Sequence, residues 1–246
     1  MIKHIPNSIT CCNLLSGCIS ILLTCNGYIM AAGVMIFLAA FFDFCDGFSA
    51  RLLKAYSPLG AQLDSLSDVV SFGVAPSFII YYYLNNAVSL VEPSSLWHIE
   101  IAGFGIIPLT AFFLAIFAAL RLAKFNIDER QTTSFIGLPT PAMGLFVASL
   151  PFTIGHKSLG FMGNIITNPY FLLATIILFS FLMVSEIPFF SLKIKNIRFK
   201  ENIHIYILAI FAIVAFMFLR FAAIPFVMLF YILEAMTINI KIKNEL

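Results

Sequence analysis

Long apolar runs, separated by short polar and basic breaks, govern what this chain can fold into. A helix needs about 20 mostly apolar residues to cross the hydrocarbon core of a bilayer. Eight stretches approach that length, near 8–25, 29–53, 61–85, 102–123, 141–156, 169–187, 203–219 and 221–239. The fifth is short, and only Arg220 and the Pro225 break divide the last two. Hydrophobic residues make up 61% of the 246 and charged residues 11%, whereas soluble domains carry about 25% charged residues. The expected fold is an all-α integral membrane protein: a polytopic helical bundle of about eight transmembrane helices, forming a single domain over 1–246. The polar segment Met1–Ser8 leads into the first run without a convincing small-residue cleavage site, which favours a first spanning helix over a cleaved signal peptide.

Charge asymmetry orients the bundle. With the N-terminus inside, the cytoplasmic segments hold Lys3, Arg51, Lys54, Arg121, Lys124, Arg130, Lys193, Lys195, Arg198, Lys200, Lys241 and Lys243, and the opposite side keeps Lys157 and Arg220. That bias predicts a multi-pass protein of the cell membrane with both termini cytoplasmic. A net charge of +2 gives no reason to expect nucleic acid as a partner. The basic stretch Lys193–Lys200 reads as a topology determinant touching the lipid surface. Cys11, Cys12, Cys18, Cys25 and Cys45 match neither a zinc site nor a disulfide framework, and read as small residues facing lipid or core. His4, His98, His156 and His204 are scattered and form no ligand set, while Tyr81–Tyr83 and Trp97 suit an interfacial aromatic belt.

Against this background, four of the five aspartates fall within 26 residues: Asp43, Asp46, Asp64 and Asp68. A carboxylate at membrane depth costs roughly 2.5–3.5 kcal/mol unless it is paired or coordinated, and four together repel one another. Helical spacing puts Asp43, Asp46 or Gly47, and Ala50 on neighbouring parts of one face, and Asp64 and Asp68 on one face of the next helix. Pro58 and Gly60 are expected to turn the chain between them and bring the second pair back against the first. Oxygen-only ligands favour hard cations such as Mg²⁺, Mn²⁺ or Ca²⁺, and two such ions can clamp a diphosphate. Gly47 and Ala50 lack bulk where a nucleotide or phosphate would approach the backbone. Arg51, with its planar fork, is placed for a phosphate oxygen. The pattern reads as phosphoryl transfer from a membrane-embedded, diphosphate-activated donor. An intramembrane cation transporter with an acidic site is the reading from a different class.

The string Asp43-x2-Asp46-Gly47-x2-Ala50-Arg51-x8-Gly60-x3-Asp64-x3-Asp68 resembles the signature of the CDP-alcohol phosphotransferase family at every fixed position. The resemblance implies a membrane enzyme with a six-helix core, here with two further helices, that displaces CMP from a CDP-linked lipid. It implies Asp43, Asp46, Asp64 and Asp68 as ligands of two divalent ions (Mg²⁺ or Mn²⁺), with Asp68 also the general base. It implies that Asn7, Gly47, Ala50, Arg51 and Ser57 contact CDP-diacylglycerol. Asn7 and Thr10 have a plainer alternative as caps of the first helix.

The segments Ile5-Pro-Asn-Ser-Ile-Thr10-x2-Asn13-Leu-x2-Gly17, Ser65-Leu-Ser-Asp68-Val-Val-Ser71-Phe-Gly73-Val-Ala-Pro76, Arg121-Leu-Ala-Lys124-Phe-Asn126 and Gly137-Leu-Pro-Thr140-Pro-Ala142 are similar to those of bacterial and archaeal membrane-type phosphatidylserine synthases. The expected reaction is therefore transfer of the phosphatidyl group from CDP-diacylglycerol to L-serine. Glycerol phosphate, inositol phosphate or an archaeal-type lipid as reaction partner is the nearest alternative. Arg121, Lys124 and Asn126 are candidates to bind serine, Arg121 and Lys124 having the alternative of anchoring a helix end by snorkelling. The catalytic core is expected over about 5–187, with C-terminal helices at about 203–239 adding little specificity. Membrane lipids are the expected surroundings, and a homodimer is implied by the resemblance alone.

Overall fold

The computed structural model describes residues 4–91, 96–128, 135–189 and 203–244. Lys3, Arg130 and the basic stretch Lys193–Lys200 lie outside them. Helix α1 (His4–Cys25) and helix α2 (Ile29–Leu52) form a hairpin closed at Gly27, whose φ of 80° is a glycine conformation. Helix α3 (Pro58–Asp68) continues through a π-helical segment (Val69–Val74) into helix α4 (Ala75–Val88). The pair β1 (Glu100–Ile101) and β2 (Phe104–Gly105) precedes a short helix α5 (Ile106–Leu109), a 3₁₀ turn, and helix α6 (Phe113–Ile127). Helices α7 (Thr140–Ile154), α8 (Gly160–Ile166) and α9 (Pro169–Val184) follow, then the hairpin of α10 (Ile203–Leu219) and α11 (Ile224–Asn244). Strand β3 (Phe135–Ile136) pairs with β4 (Pro188–Phe189) and ties the chain before α7 to the chain after α9.

The burial pattern is that of a membrane bundle, with polar and small residues inside. On α1 the buried residues are Pro6, Thr10, Asn13, Ser16, Gly17, Ser20 and Thr24, whereas Leu15 and Leu22 are exposed. Lipid offers apolar side chains no penalty for exposure, so helices associate through close backbone approach and interhelical hydrogen bonds. Gly17 lies against Ser71 of the π segment, Gly33 of α2 against the Ala148 carbonyl of α7, and Gly144 of α7 against Phe72. Across the first of these contacts Ser71 Oγ donates to the Asn13 backbone carbonyl at 3.0 Å, and between α1 and α2 Ser20 Oγ donates to the Ala32 carbonyl at 2.9 Å.

Five segments are long and apolar enough to cross a membrane: His4–Cys25, Ile29–Leu52, Pro58–Val88, Ile106–Ile127 and Ile203–Ala235. A sixth arises if Lys157–Ile166 and Pro169–Val184, bent by 78°, count as one span. The all-α polytopic architecture stands on these. Eight crossings would further require the 15-residue α7, which contains Pro151, and both limbs of the last segment to cross. That last segment does double back: Arg220 adopts φ 51°, His204 Nδ1 meets Glu234 Oε1 at 2.8 Å, and Phe211 stacks on Phe230.

Several expected boundaries move for local reasons. The fourth helix starts at 106 rather than 102 because β1 and β2 take up Glu100–Gly105. The turn after α2 lies at 53–57, with Lys54 at φ 51°, so Pro58 opens α3 and Gly60 sits in its first turn. Helix α1 already runs from His4, which overturns the capping alternative for Asn7 and Thr10; Thr10 Oγ1 instead donates to the Pro6 carbonyl. All five cysteines are free, Cys45 half-buried and the others exposed.

Candidate active site

Ser57 fixes the start of α3 by accepting the Gly60 N–H at 3.0 Å, with Pro58 supplying a preset φ in the first turn. This aims Asp64 and Asp68 at α2. Asp43, Asp64 and Asp68 each place one carboxylate oxygen within 4.8 Å of the others. Asp46 stands beside them, 6% exposed, with Oδ2 buried and unpartnered, as is Oδ1 of Asp64. Buried carboxylate oxygens without donors are costly, and converging anions make them more so. An all-oxygen donor set of this span, with orphaned lone pairs, fits a hard divalent cation bound at about 2.0–2.6 Å. It offers no nitrogen or sulfur for zinc. Among the described residues this is the one group of three or more potential ligands placed to share an ion.

Next to the carboxylates opens a cavity of about 260 Å³, lined by Asp46, Gly47, Ala50, Arg51, Ser57 and Asp64, and on the α1 side by Asn7. The structure thus brings together the residues that the sequence assigned to a nucleotide diphosphate. Nothing lies within 4 Å of where a Cβ on Gly47 would be, so that glycine borders open space. Gly60 differs, because its Cβ would meet Asn7 Oδ1 at 2.9 Å and Ser57 Oγ at 3.0 Å. Thr10, Ala55 and Tyr56 also line the cavity. Tyr56 and Ala55 escaped sequence reasoning, since they fall in the eight variable positions between Arg51 and Gly60. Their place next to Ser57 was the available signal.

Asp68 is 8% exposed, and Asn13 Nδ2 donates to its Oδ1 at 3.2 Å. The π-helical segment begins at the following residue. Such an extra residue in a helix commonly marks a functional site, and here it carries Ser71 onto α1 and Phe72 onto Gly144. Arg121 of α6 is buried at 7% exposure within electrostatic reach of Asp68, with its guanidinium 5.0 Å above the Phe125 ring. The other two candidates for serine point elsewhere. Lys124 Nζ sits 3.7 Å from Glu186 Oε1 in an exposed pair, and Asn126 Nδ2 donates to Ser65 Oγ at 3.0 Å.

A model of the CDP-alcohol phosphatidyltransferase family matches residues 3–184. The chain belongs to this family. Its matched region runs from α1 through α9 and contains every aspartate of the cluster, so α10 and α11 lie beyond it. The chain is similar to the CDP-diacylglycerol–serine O-phosphatidyltransferase of Bacillus subtilis, 35% identical over 187 residues, covering 76% of this chain and 90% of that one. Its counterpart of the same name from Methanocaldococcus jannaschii is 32% identical over 207 residues, 84% and 80% of the two chains. An archaetidylserine synthase from Methanothermobacter thermautotrophicus is 34% identical over 151 residues, 61% and 58% of the two. As a CDP-alcohol phosphatidyltransferase the protein is an enzyme, a transferase of substituted phosphate groups.

Proposed function

We propose that the protein is a CDP-diacylglycerol–serine O-phosphatidyltransferase, making phosphatidylserine and CMP from CDP-diacylglycerol and L-serine. The observation that carries this reading is the meeting of the converging carboxylates with a cavity bordered by Gly47 and Arg51. Relatives named for serine transfer support serine as the acceptor.

In this mechanism Gly47 and Ala50 let the cytidine diphosphate lie against the α2 backbone, Arg51 forks onto the diphosphate, and Asn7 and Ser57 border the nucleotide. Asp43, Asp46, Asp64 and Asp68 would hold the divalent ions, two Mg²⁺ or Mn²⁺. When bound, the ions neutralise the diphosphate and stabilise charge on the attacking and leaving oxygens. The serine hydroxyl attacks the phosphorus that carries diacylglycerol. Its proton passes to Asp68, whose orientation Asn13 holds. The new O–P bond replaces the phosphoanhydride bond, and CMP leaves with the electron pair. Much of the rate comes from holding the hydroxyl in line.

The acyl chains stay in the bilayer among exposed apolar residues of α2 such as Phe41, Phe44 and Phe48. We place all eight segments across the cell membrane as a single domain, with the catalytic core at about 5–187 and both termini cytoplasmic. The helix order supports this. Arg51, Lys54, Arg121 and Lys124 fall near the bundle end that holds the cluster, where Asn126 meets Ser65 and the Leu138 N–H donates to the Leu182 carbonyl. Lys157 follows α7 and Arg220 follows α10 at the other end. A homodimer is part of the proposal on family grounds.

The test is CMP release by Asp64→Asn and Asp68→Asn proteins reconstituted with CDP-diacylglycerol, serine and Mn²⁺. Both are expected to lose turnover while keeping the wild-type elution volume and melting temperature. Near-normal turnover in both contradicts the mechanism.

A further inference from the structure

A second cavity, of about 500 Å³, lies at the end of the bundle opposite the aspartates. It is framed by Cys25 at the end of α1, by Phe78, Tyr82 and Asn85 on α4, and by Leu109 and Phe112 ahead of α6. At 1.5 Å per residue, Asn13 lies about 18 Å back along α1 from Cys25, and Asp68 about 15 Å back along the α3–α4 segment from Phe78. The cavity shares no lining residue with the one beside the carboxylates.

Its walls are ordered by their own contacts. Phe112 meets Phe78 edge-on at 5.1 Å and Tyr81 at 5.7 Å, offset arrangements that aromatic rings prefer. The Thr24 hydroxyl, on the α1 side, already donates to the Ser20 carbonyl at 2.9 Å. Cys25, Asn85, Phe104 and Leu109 are exposed, so the cavity opens at the surface. Cys25, Asn85 and Leu109 belong to three segments apolar and long enough to cross a membrane, His4–Cys25, Pro58–Val88 and Ile106–Ile127. The mouth therefore faces hydrocarbon, and a ligand must reach it through the bilayer. A few polar groups among apolar and aromatic walls, in a volume of this size, are the usual makings of a small-ligand site.

The shape of the cavity selects its occupant. Along α4 the lining runs from Phe78 to Asn85, about 10 Å, and on α1 it reaches only Thr24 and Cys25. A partner helix needs a groove several turns long. A lipid tail fits, because one leaflet supplies about half of the roughly 30 Å hydrocarbon core. Asn85 lies in the last turn of α4, next to the run Tyr81–Tyr83, which suits the membrane interface. Its amide carries two donors, and the ester carbonyls of a phospholipid only accept.

We propose that this cavity holds one acyl chain of a bilayer phospholipid from the leaflet opposite the aspartates, with Asn85 donating to an ester carbonyl. The site is separate from the donor's own chains along α2, and it holds whichever alcohol the enzyme uses.

The experiment gives purified wild-type protein in detergent dioleoylphosphatidylglycerol, which is neither donor nor product, and follows alkylation by N-ethylmaleimide peptide by peptide. Cys25 should react about tenfold more slowly at lipid ten times its Kd, following the 1 + [L]/Kd of a single site. Cys18, exposed on the same helix and outside the cavity, should keep its rate. Asn85→Leu should raise the lipid concentration for half-protection about fivefold, the loss of one neutral hydrogen bond. In native mass spectrometry the wild type should keep one lipid per chain after detergent exchange. Cys25→Trp and Leu109→Trp, which fill the cavity from two sides, should lose it, and Cys18→Trp should keep it. Equal slowing of Cys18 and Cys25, or equal lipid retention in the filled variants, overturns the proposal. Protection of Cys25 that follows protein concentration rather than lipid makes the occupant a second copy of the chain and also overturns it. An unchanged lipid dependence in Asn85→Leu overturns the ester contact.

Discussion

Gly47 sits inside α2, ahead of its last turn, where glycine is a poor choice for a helix, about 0.8–1.0 kcal/mol worse than alanine. Glycines at helix crossings in this bundle have a packing reason: an added Cβ on Gly17 would come within 2.8 Å of the Ser71 Cα, and one on Gly33 would strike the Ala148 carbonyl. Gly47 has none, because its Cβ would find open space. The fold alone therefore prefers alanine at 47, and the missing methyl group serves whatever occupies the cavity. Gly47→Ala is expected to stabilise the protein by up to about 1 kcal/mol, seen as a small rise in melting temperature in detergent. Catalysis is expected to move the opposite way. A methyl group between the α2 backbone and the diphosphate should raise KM for CDP-diacylglycerol about tenfold or more, equivalent to about 1.4 kcal/mol, with the KM for serine little changed. The assay is CMP release at varied CDP-diacylglycerol, run beside a thermal melt. A higher melting temperature with unchanged KM would remove Gly47 from the nucleotide site. A lower melting temperature would show a packing role that the geometry does not contain.

Further expectations follow from the same contacts. Gly33→Ala should cost about 1–3 kcal/mol by overpacking against a backbone atom that cannot rotate away, measured as a lower melting temperature; an unaltered melt contradicts the close α2–α7 contact. Arg51→Lys keeps the charge and loses the fork, so KM for CDP-diacylglycerol should rise about tenfold, and no change would show that Arg51 does not hold the diphosphate. Chelation with EDTA should abolish CMP release, and Mn²⁺ or Mg²⁺ should restore it; full activity in EDTA would exclude the carboxylates as a working metal site.

The site was legible in the sequence wherever membrane chemistry makes a residue expensive. Four aspartates in hydrocarbon demand an explanation, and their spacing places them on facing helical surfaces. The structure gathers Asp43, Asp64 and Asp68 and sets Asp46 at the cavity with Gly47, Ala50 and Arg51. Asn13, whose amide meets Asp68 across two helices, was visible only as a letter in a flanking segment. A single asparagine or threonine in an apolar helix is cheap and common, and its meaning lies in a cross-helix partner that linear spacing does not reveal. The π-helical segment was equally hidden, because Val69–Val74 reads as ordinary apolar helix while its function is to reset the phase between Asp68 and Ser71. Helix boundaries failed where tertiary contacts override apolarity, as at the β1–β2 pair before α5, whereas the break at Arg220 between α10 and α11 falls where the sequence put it. Lys124 shows the limit of charge alone: on the sequence it resembles Arg121 as a serine ligand, yet one is buried beside Asp68 and the other pairs with Glu186 at the surface.

The most direct test of the central claim is CMP release by purified, detergent-solubilised protein given CDP-diacylglycerol, Mn²⁺ or Mg²⁺, and one alcohol at a time. The account predicts release with L-serine and little with glycerol 3-phosphate or an inositol phosphate. Release with either of those in place of serine would keep the chemistry of the aspartate cluster and overturn the acceptor. Absence of release with every alcohol, from folded protein that binds the metal, would contradict phosphatidyl transfer itself.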